Sequence, residues 1–567
     1  MQHASVSSWH GPNTRKGIRV LSTISGAGSE HLSAGNLEWA CHSRFAAMPF
    51  RVTGMETRAL SEILASMSSK NDADIALVTK AYEFSKEAHK DQRRFSGDTY
   101  FVHPAEVAYL LAEAGMCPEA ISAGLLHDTI EDAGTKPSVI EQEFGAEVLS
   151  LVQGVTKLGT LRYQGLERHT ESLRKLFAAT AKDIRVLIIK LMDRLHNART
   201  LEHVPRPEKR MRIAQETLEI YAPIADRLGM SVAKQELEDA AFPFAHPKEY
   251  EKTRELMKER KSENEKRLEK VEKDLKRALA EAGLREFRTE ARIKGVYSLF
   301  KKLERRQWDI SKIYDIRALR IIFPTVADCY TALGIIHAQW RPVPGKIKDY
   351  IAFPKPNGYQ SIHTTVHTGD GSALEMQLRT ENMHREAQFG IASHLIYKEA
   401  QDKAKESARG GLEWMRQFVP GWRRGSGKSD EPARADGAGK VPEWVQELAR
   451  ADTKGSASEE YLDTLKTDFF SHRVFVFTPK GDVIDLPIAA TPIDFAYAVH
   501  SDLGNKMSGA RVNGKMVALD TPLRNGDIVE VITRQGARPT RKWHDIAKTS
   551  MAKKHIRAAL AEQKKNL

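Results

Sequence analysis

The sequence predicts a multidomain protein of mixed α and α+β class. Three observations carry that prediction. Apolar residues recur at helical spacing from about Thr57 to Pro205; alternating or β-branched segments appear only after about residue 287; and a β-rich block runs from Val474 to Thr533. At 567 residues the chain has material for several separate cores.

The segments follow in order. Residues 1–54 are rich in Ser, Gly, Ala and His, with Glu30 and Glu38 as their only acids. Such a leader fits an organellar transit peptide, or a disordered extension ahead of a start at Met55, and the extension is expected. Residues 55–205 form a helical domain broken at Gly97, Pro104, Gly115, Gly134 and Gly159. Residues 206–286 continue as a helical connector. From Glu251 to Glu281 its opposite charges often fall three or four apart, which predicts a charged, solvated spacer. Residues 287–400 read as α+β, with strands at 316–323, 361–366 and 374–379.

Residues 401–470 are polar and Gly/Ser/Lys-rich, with Trp414, Trp422 and Trp444 as the few anchors, and read as a flexible linker. Within them Gly425-Ser426-Gly427-Lys428-Ser429 is similar to a phosphate loop. Trp422 stands where the first glycine belongs and no strand leads in, so this is rejected as a nucleotide site. Residues 471–535 form a compact module with a turn at Lys480-Gly481-Asp482, a helix opening on Pro492 and a turn at Asn525-Gly526-Asp527. Residues 536–567 begin a helical region.

Composition narrows the function classes. Lys and Arg outnumber Asp and Glu by 87 to 75, a net charge of +12 that suits a nucleotide or RNA partner without specifying one. Cys41, Cys117 and Cys329 include no CxxC pair, which excludes a Cys-rich zinc module and a disulfide framework and fits a reducing cytoplasm. No apolar run approaches the roughly 18 residues of a membrane-spanning helix, so no membrane partner is expected.

Two constellations carry chemistry. The first is His127-Asp128-Thr129-Ile130-Glu131-Asp132. On a helix, His127 and Glu131 would share a face, as would Asp128 and Asp132. Asp193 follows the apolar run Val186–Leu191, and His103 offers a second imidazole. Two His and two Asp make a ligand set for Mn, Fe or Zn with positions left for water, which Glu131 and Asp132 could orient or deprotonate. The competing reading is an ordinary helix-end pair. Against it stand the apolar Ala123–Leu126 stretch, the further carboxylates in register, and Asp193 in an apolar helix, where a carboxylate is costly unless paired or metal-bound.

The second constellation lies between Arg292 and Glu375. Lys346, Lys348 and Lys355 can neutralise phosphates, and Tyr359 can present a ring to a base. Arg292 and Lys294 precede a helix, while Asp315 and Glu375 at strand positions can hold Mg2+. Phosphoryl-type transfer needs mostly positioning and charge neutralisation, and both are present. On composition alone, a basic loop with structural turn residues is an equal reading.

The strings HDTIED, LMDRLHNART, RIKGVYSLFKK, YDIRALRII, KDYIAFPKPNGYQSIHTTV and LEMQLRTENMHREAQFGIASH, with VFVFTPKGDVIDLP and TPIDFAYAVH, resemble the long RelA/SpoT homologues across residues 60–567 apart from the linker. The resemblance implies an all-helical HD-type hydrolase domain, an α+β nucleotidyltransferase-like synthetase domain and a small β-grasp TGS domain. It implies pyrophosphate transfer from ATP to the 3′-hydroxyl of GDP or GTP, making guanosine tetra- or pentaphosphate, (p)ppGpp, and hydrolysis of that product. The alternatives are a hydrolase-dominant enzyme and a protein that senses ribosomes and uncharged tRNA.

By the same resemblance, His103, His127, Asp128 and Asp193 match Mn2+ ligands, Glu131 and Asp132 the water-activating pair, and Arg94, Ser96, Asn197 and Thr200 the guanosine cradle. Arg292 and Lys294 match ATP-phosphate contacts, Asp315 and Glu375 the Mg2+ and hydroxyl-activating pair, Tyr359 the guanine-stacking ring, His363 a phosphate contact and His500 a tRNA contact. Phe95 departs from the family, which usually has Lys there. Lys346-Ile347-Lys348-Asp349 keeps the basic character of bifunctional members, residues 411–440 look like an insertion, and the family's later zinc-finger and ACT-type domains are expected to be lacking. The expected location is the cytoplasm, or an organelle if residues 1–54 are a transit peptide.

Overall fold

A computed structural model describes residues 57–159, 183–259, 261–310, 313, 317–355, 357–369, 372–393, 473–524 and 526–565. The expected extension at 1–54, the linker at 401–470 and Asp315 lie outside the described residues. No described helix is long and apolar enough to cross a membrane.

Helices α1 (Leu60–Ser66), α2 (Asp72–Ala88), α3 (Val102–Glu113), α4 (Pro118–Leu126), α5 (Pro137–Gly159) and α6 (Ile184–Arg199) build the first domain. Local chemistry sets their starts. Asn71 accepts from the Asp74 amide at 2.9 Å to cap α2, Asp183 accepts from the Arg185 amide at 2.9 Å to cap α6, and Pro118 opens α4. Their apolar faces meet in one core that includes Leu111, Ile121, Leu126, Val152, Leu187 and Leu191. Gly124 lets α3 and α4 close together, since a Cβ there would lie 2.4 Å from the Leu111 side chain.

The HDTIED segment is not helical, contrary to the helix on which its spacing was read. Helix α4 ends at Leu126 with His127 as its C-cap, and Asp128–Asp132 follow in turns. Thr129 explains the stop: its amide and hydroxyl both turn back to the Leu126 carbonyl, at 3.0 and 2.6 Å. His127 and Glu131 therefore do not share a helix face.

Helices α7 (Pro207–Glu216), α8 (Ala222–Arg227) and α9 (Ser231–Ala245) lead on, with a π turn at Thr217–Tyr221, and then α10 (Pro247–Glu259) and α11 (Lys261–Glu281). The solvated-spacer expectation is corrected here. Leu268, Val271, Leu275 and Leu279 line one stripe of α11 and are buried against Leu319, Ile321 and Phe323.

Those three belong to a five-stranded sheet of β1 (Arg288–Ile293), β2 (Arg317–Phe323), β3 (Lys348–Asp349), β4 (Ile362–His367) and β5 (Ala373–Thr380), in the order β1-β2-β5-β4-β3. Only the β2–β5 pair is parallel. Helices α12 (Val296–Arg305), α13 (Val326–Gln339) and α14 (Glu381–Phe389) complete the domain. Strand alternation divides the sheet sharply. Leu319, Ile321, Ile362, Val366, Met376 and Leu378 face the core, while Glu290, Arg292, Arg320, His363, Glu375, Gln377 and Arg379 face the other way.

The two domains are clasped at the end of α14. The Ile391 amide donates to the Leu228 carbonyl at 2.9 Å, and Ala392 is buried in the helical core. Asn357 Nδ2 donates to the Asp226 carbonyl at 3.0 Å, beside the loop that carries Tyr359. Gly390 turns the chain at φ 56°, and a Cβ on it would lie 2.0 Å from the Leu228 oxygen. Gly390→Ala is therefore expected to cost about 3 kcal/mol or more through backbone strain and clash together, read as a lowered Tm. An unchanged melting curve would show that the clasp is absent.

The last module comprises β6 (Arg473–Phe477), β7 (Val483–Pro487), α15 (Pro492–Val499), α16 (Ser501–Asn505), β8 (Met507–Val512), β9 (Lys515–Val517) and β10 (Val529–Thr533). Its sheets are β6-β7 and β10-β8-β9, bridged at Phe477 and Ile528. The helical start predicted after residue 536 is α17 (Arg541–Ile546) and α18 (Ser550–Lys565). Buried Asp494 ties it down, accepting from the Lys548 and Thr549 amides at 2.8 and 2.7 Å.

Candidate active sites

Three helices deliver the first site. Helix α3 carries His103, the end of α4 carries His127, and α6 carries Asp193; all are buried, and one ligand atom from each lies within 4.8 Å of the others. His127 Nδ1 donates to the Gly124 carbonyl at 2.8 Å, which leaves Nε2 as a lone pair in the neutral ring. That Nε2 is buried without a hydrogen bond and lies 3.2 Å from an Asp128 oxygen.

The Arg94 guanidinium can only donate, so His196 Nδ1, 3.1 Å away, must accept. His103 Nδ1 lies 2.7 Å from that same nitrogen. Burial pushes the His103 imidazole below its ordinary range, and its Nε2 lies 3.5 Å from Asp128 and 3.3 Å from Asp193. Two imidazole nitrogens and two carboxylates therefore converge on one place. The donor set fits a divalent metal.

Neighbouring groups hold this set in place. Burial pushes the Asp193 carboxyl up, but the Lys190 ammonium at 2.7 Å and His103 outweigh it and hold Asp193 well below the usual carboxylate range. The Tyr100 hydroxyl lies 2.8 Å from Asp128 and 2.6 Å from Asp132, linking the two acids, and its ring stacks on His89. Glu131 and Asp132 are exposed, and partial burial pushes the Glu131 carboxyl above its ordinary range.

Arg94 also donates to Asn197 Oδ1 at 2.9 Å, and Asn197 donates to Asp193, so both adjoin the cluster. Thr200 instead donates its hydroxyl to the His196 carbonyl of its own helix at 3.1 Å, and Ser96 stands half-buried in the loop beside Arg94. Sequence reasoning missed Tyr100, Lys190 and His196. Lys190 was findable, three residues before Asp193 on one helix face.

The second site is the polar face of the sheet. Glu375 on β5 accepts from Gln377 Nε2 at 2.7 Å and lies 3.2 Å from His363 Nδ1. His363 Nε2 lies 2.8 Å from the Tyr359 hydroxyl, so the three form one chain. Burial pushes the Tyr359 phenol up, but His363, Arg379 and Arg292 outweigh it and bring it down to about 8. The Lys355 ammonium lies 4.8 Å from the ring centres of both Tyr350 and Tyr359, and burial pushes it down to about 8.

Lys348 pairs with His363 across β3 and β4. Arg292 pairs with Ala318, which pairs with Glu375, so the small Ala318 leaves room between the two charged side chains. Lys346 is exposed on the loop before β3, and Lys294 follows β1 at the mouth of α12. Arg320, paired with Glu290 at 2.9 Å, and the buried Arg379 floor the face, and neither was expected. Burial pushes Arg379 down to about 9. The alternation Glu375, Gln377, Arg379 was the available signal. His500 is exposed at the start of α16, accepting from the Asp502 amide at 3.1 Å.

Comparison with known proteins agrees with this geometry. Residues 81–231 match the HD domain, 291–402 the region found in RelA / SpoT proteins, and 474–533 the TGS domain. A guanosine-3′,5′-bis(diphosphate) 3′-pyrophosphohydrolase of Aquifex aeolicus is 43% identical over 512 residues, 89% of this chain and 68% of that protein. The chain belongs to the RelA/SpoT family. GTP pyrophosphokinases of Myxococcus xanthus and Streptomyces coelicolor are each 44% identical, over 87% and 86% of this chain. The chain spans 61% and 56% of the length of those two relatives. In this RelA/SpoT chain the metal-donor cluster falls inside the HD match and the polar sheet face inside the RelA / SpoT match, which gives each domain one site.

Proposed function

We propose that the chain is a bifunctional alarmone enzyme. It transfers pyrophosphate from ATP to the 3′-hydroxyl of GDP or GTP, and hydrolyses the resulting (p)ppGpp back to GDP or GTP and pyrophosphate. The observation that carries this reading is the presence of two separate polar sites, one built to hold a cation and one lined with phosphate-neutralising cations.

In hydrolysis, His103, His127, Asp128 and Asp193 hold a divalent ion, proposed as Mn2+ from the mixed nitrogen and oxygen donors, which would acidify water and draw in the pyrophosphate. Glu131, whose raised carboxyl favours proton acceptance, and Asp132 orient and deprotonate that water. Tyr100 fixes Asp132 against Asp128. Arg94 and Asn197, with Ser96 and Thr200, border the space for the guanosine.

In synthesis, Arg292, Lys294, Lys346, Lys348 and Lys355 neutralise the phosphates of ATP and the acceptor. Tyr359 offers its ring to the guanine, and His363 contacts phosphate. Glu375 takes the proton of the attacking 3′-hydroxyl and shares with Asp315 the binding of Mg2+. The exposed His500 of the TGS module is assigned to contact with uncharged tRNA on the ribosome.

A paired assay tests the reading: ATP plus GDP in one arm, ppGpp plus Mn2+ in the other, each with and without ribosomes and uncharged tRNA. Turnover in both arms is expected. Hydrolysis without synthesis would leave the hydrolase-dominant alternative, and turnover in neither arm would end the enzymatic reading.

A further inference from the structure

Helix α9 packs on both domains at once. Its Ala233 and Leu237 are buried in the helical core. Other residues of the same helix meet the synthetase domain at two places. Ser231 Oγ donates to the Ala387 carbonyl near the end of α14. At the start of α12, the Ser298 hydroxyl donates to Glu238 at 3.1 Å and the Tyr297 amide to Asp239 at 3.0 Å. Lys234 lies between these attachments, one turn before Glu238 on the same helix face. It falls in neither matched region, since the HD match ends at residue 231 and the RelA / SpoT match begins at 291.

The charges around Lys234 do not balance. Its ammonium is 3.0 Å from Asp226 on α8, whose carbonyl accepts from Asn357, between Lys355 and Tyr359. Burial pushes the Lys234 ammonium down, but Asp226 and Glu238 outweigh it, so Lys234 stays a cation. Arg292 repels it, and Lys234 in turn helps burial to push Lys355 down. Lys294 acts on Glu238 from the same side. Four cations thus gather around two carboxylates, an excess that suits an anion. An ion pair that merely held α8 to α9 would not explain the crowding. The Asp226 side chain is 54% exposed, and such pairs are worth only about 0.2–1 kcal/mol.

We infer that Lys234 is a phosphate-binding residue of the synthetase site, delivered by the helical connector and held on Asp226 until the 5′-phosphates of an acceptor nucleotide take its place. The inference rests on the synthetase half of the proposed function and adds to that site a side chain from outside the sheet domain. The acceptor side is assigned because Asp226 is tied to the loop that carries Lys355 and Tyr359. Lys234 touches phosphate and none of the reacting atoms.

The test measures synthesis from ATP and GDP by the full chain for wild type, Lys234→Ala, Lys234→Arg and Asp226→Asn. Hydrolysis of ppGpp, followed in each preparation, checks the fold. Lys234→Ala is expected to raise KM for GDP about tenfold, in line with loss of one hydrogen bond to a charged group, with KM for ATP and kcat within about twofold. Lys234→Arg is expected to recover most of that affinity. Asp226→Asn is expected to lower KM for GDP about two- to fivefold, because it releases Lys234 from a half-exposed ion pair. A bridge with a purely structural role predicts the same direction for both partners. A rise in both Lys234→Ala and Asp226→Asn, an unchanged KM in Lys234→Ala, or a rise confined to ATP therefore overturns the assignment. Calorimetry of GDP binding needs no turnover. If wild type binds GDP about tenfold more tightly than Lys234→Ala yet makes no product, the synthetase reading fails and the phosphate site stands.

Discussion

Asp193→Asn is expected to lower ppGpp hydrolysis by at least about a thousandfold while synthesis from ATP and GDP stays within about twofold. The side chain is buried on α6 with the Lys190 ammonium 2.7 Å away and His103 Nε2 at 3.3 Å. An amide preserves the shape but removes the one charge that balances both Lys190 and a bound cation. Losing a ligand removes several kcal/mol of transition-state stabilisation, and each 1.36 kcal/mol is tenfold in rate. The substitution also leaves Lys190 as an unpaired buried cation, which costs about 3–5 kcal/mol of stability. Retained synthesis in the same preparation separates loss of the site from loss of the fold. A chelator applied to wild type should reproduce the selective loss. Hydrolysis that survives both treatments would mean that the cluster is a structural polar network.

That selectivity follows from how the chain distributes its two sites, and the sequence made part of the distribution legible. The helical period of residues 57–205 and the alternation of 361–366 and 374–379 reflect burial on one face, so both domains could be read directly. The donors were legible by type, because His and Asp inside apolar stretches need a reason to be there. Their local shape was not. Thr129 folds back on Leu126 and ends α4, a hydrogen-bonding choice that periodicity does not encode. Tyr100 was invisible for another reason: it reaches Asp128 across 28 residues of sequence, and nothing in its own segment marks it. Helix α11 misled through composition, its charges drawing attention away from the Leu268, Val271, Leu275 and Leu279 stripe that carries the packing. The clasp of Gly390 on Leu228 is a tertiary crossing, and sequence showed only a glycine at the end of a helical run.

Glu375→Gln gives the complementary result. It is expected to reduce synthesis by about a hundred- to ten-thousandfold, the range for removing a positioned acid–base group, with hydrolysis of ppGpp unchanged within about twofold. Glu375 stands on the central strand β5 at the end of the chain that runs from Tyr359 through His363, and in register with Arg292 across Ala318. Glutamine keeps the length and can still meet Gln377, so the fold has little reason to change. It can neither accept the 3′-hydroxyl proton nor contribute a carboxylate to a cation. The loss should therefore appear in kcat, with KM for GDP nearly constant, because the stacking ring and the lysines are untouched. A change confined to KM would instead place Glu375 in substrate binding and move the proton acceptor elsewhere on the polar face. Equal loss of hydrolysis would show that the Gly390 clasp transmits the change between domains, a coupling that the Asp193→Asn enzyme should then display in the opposite direction.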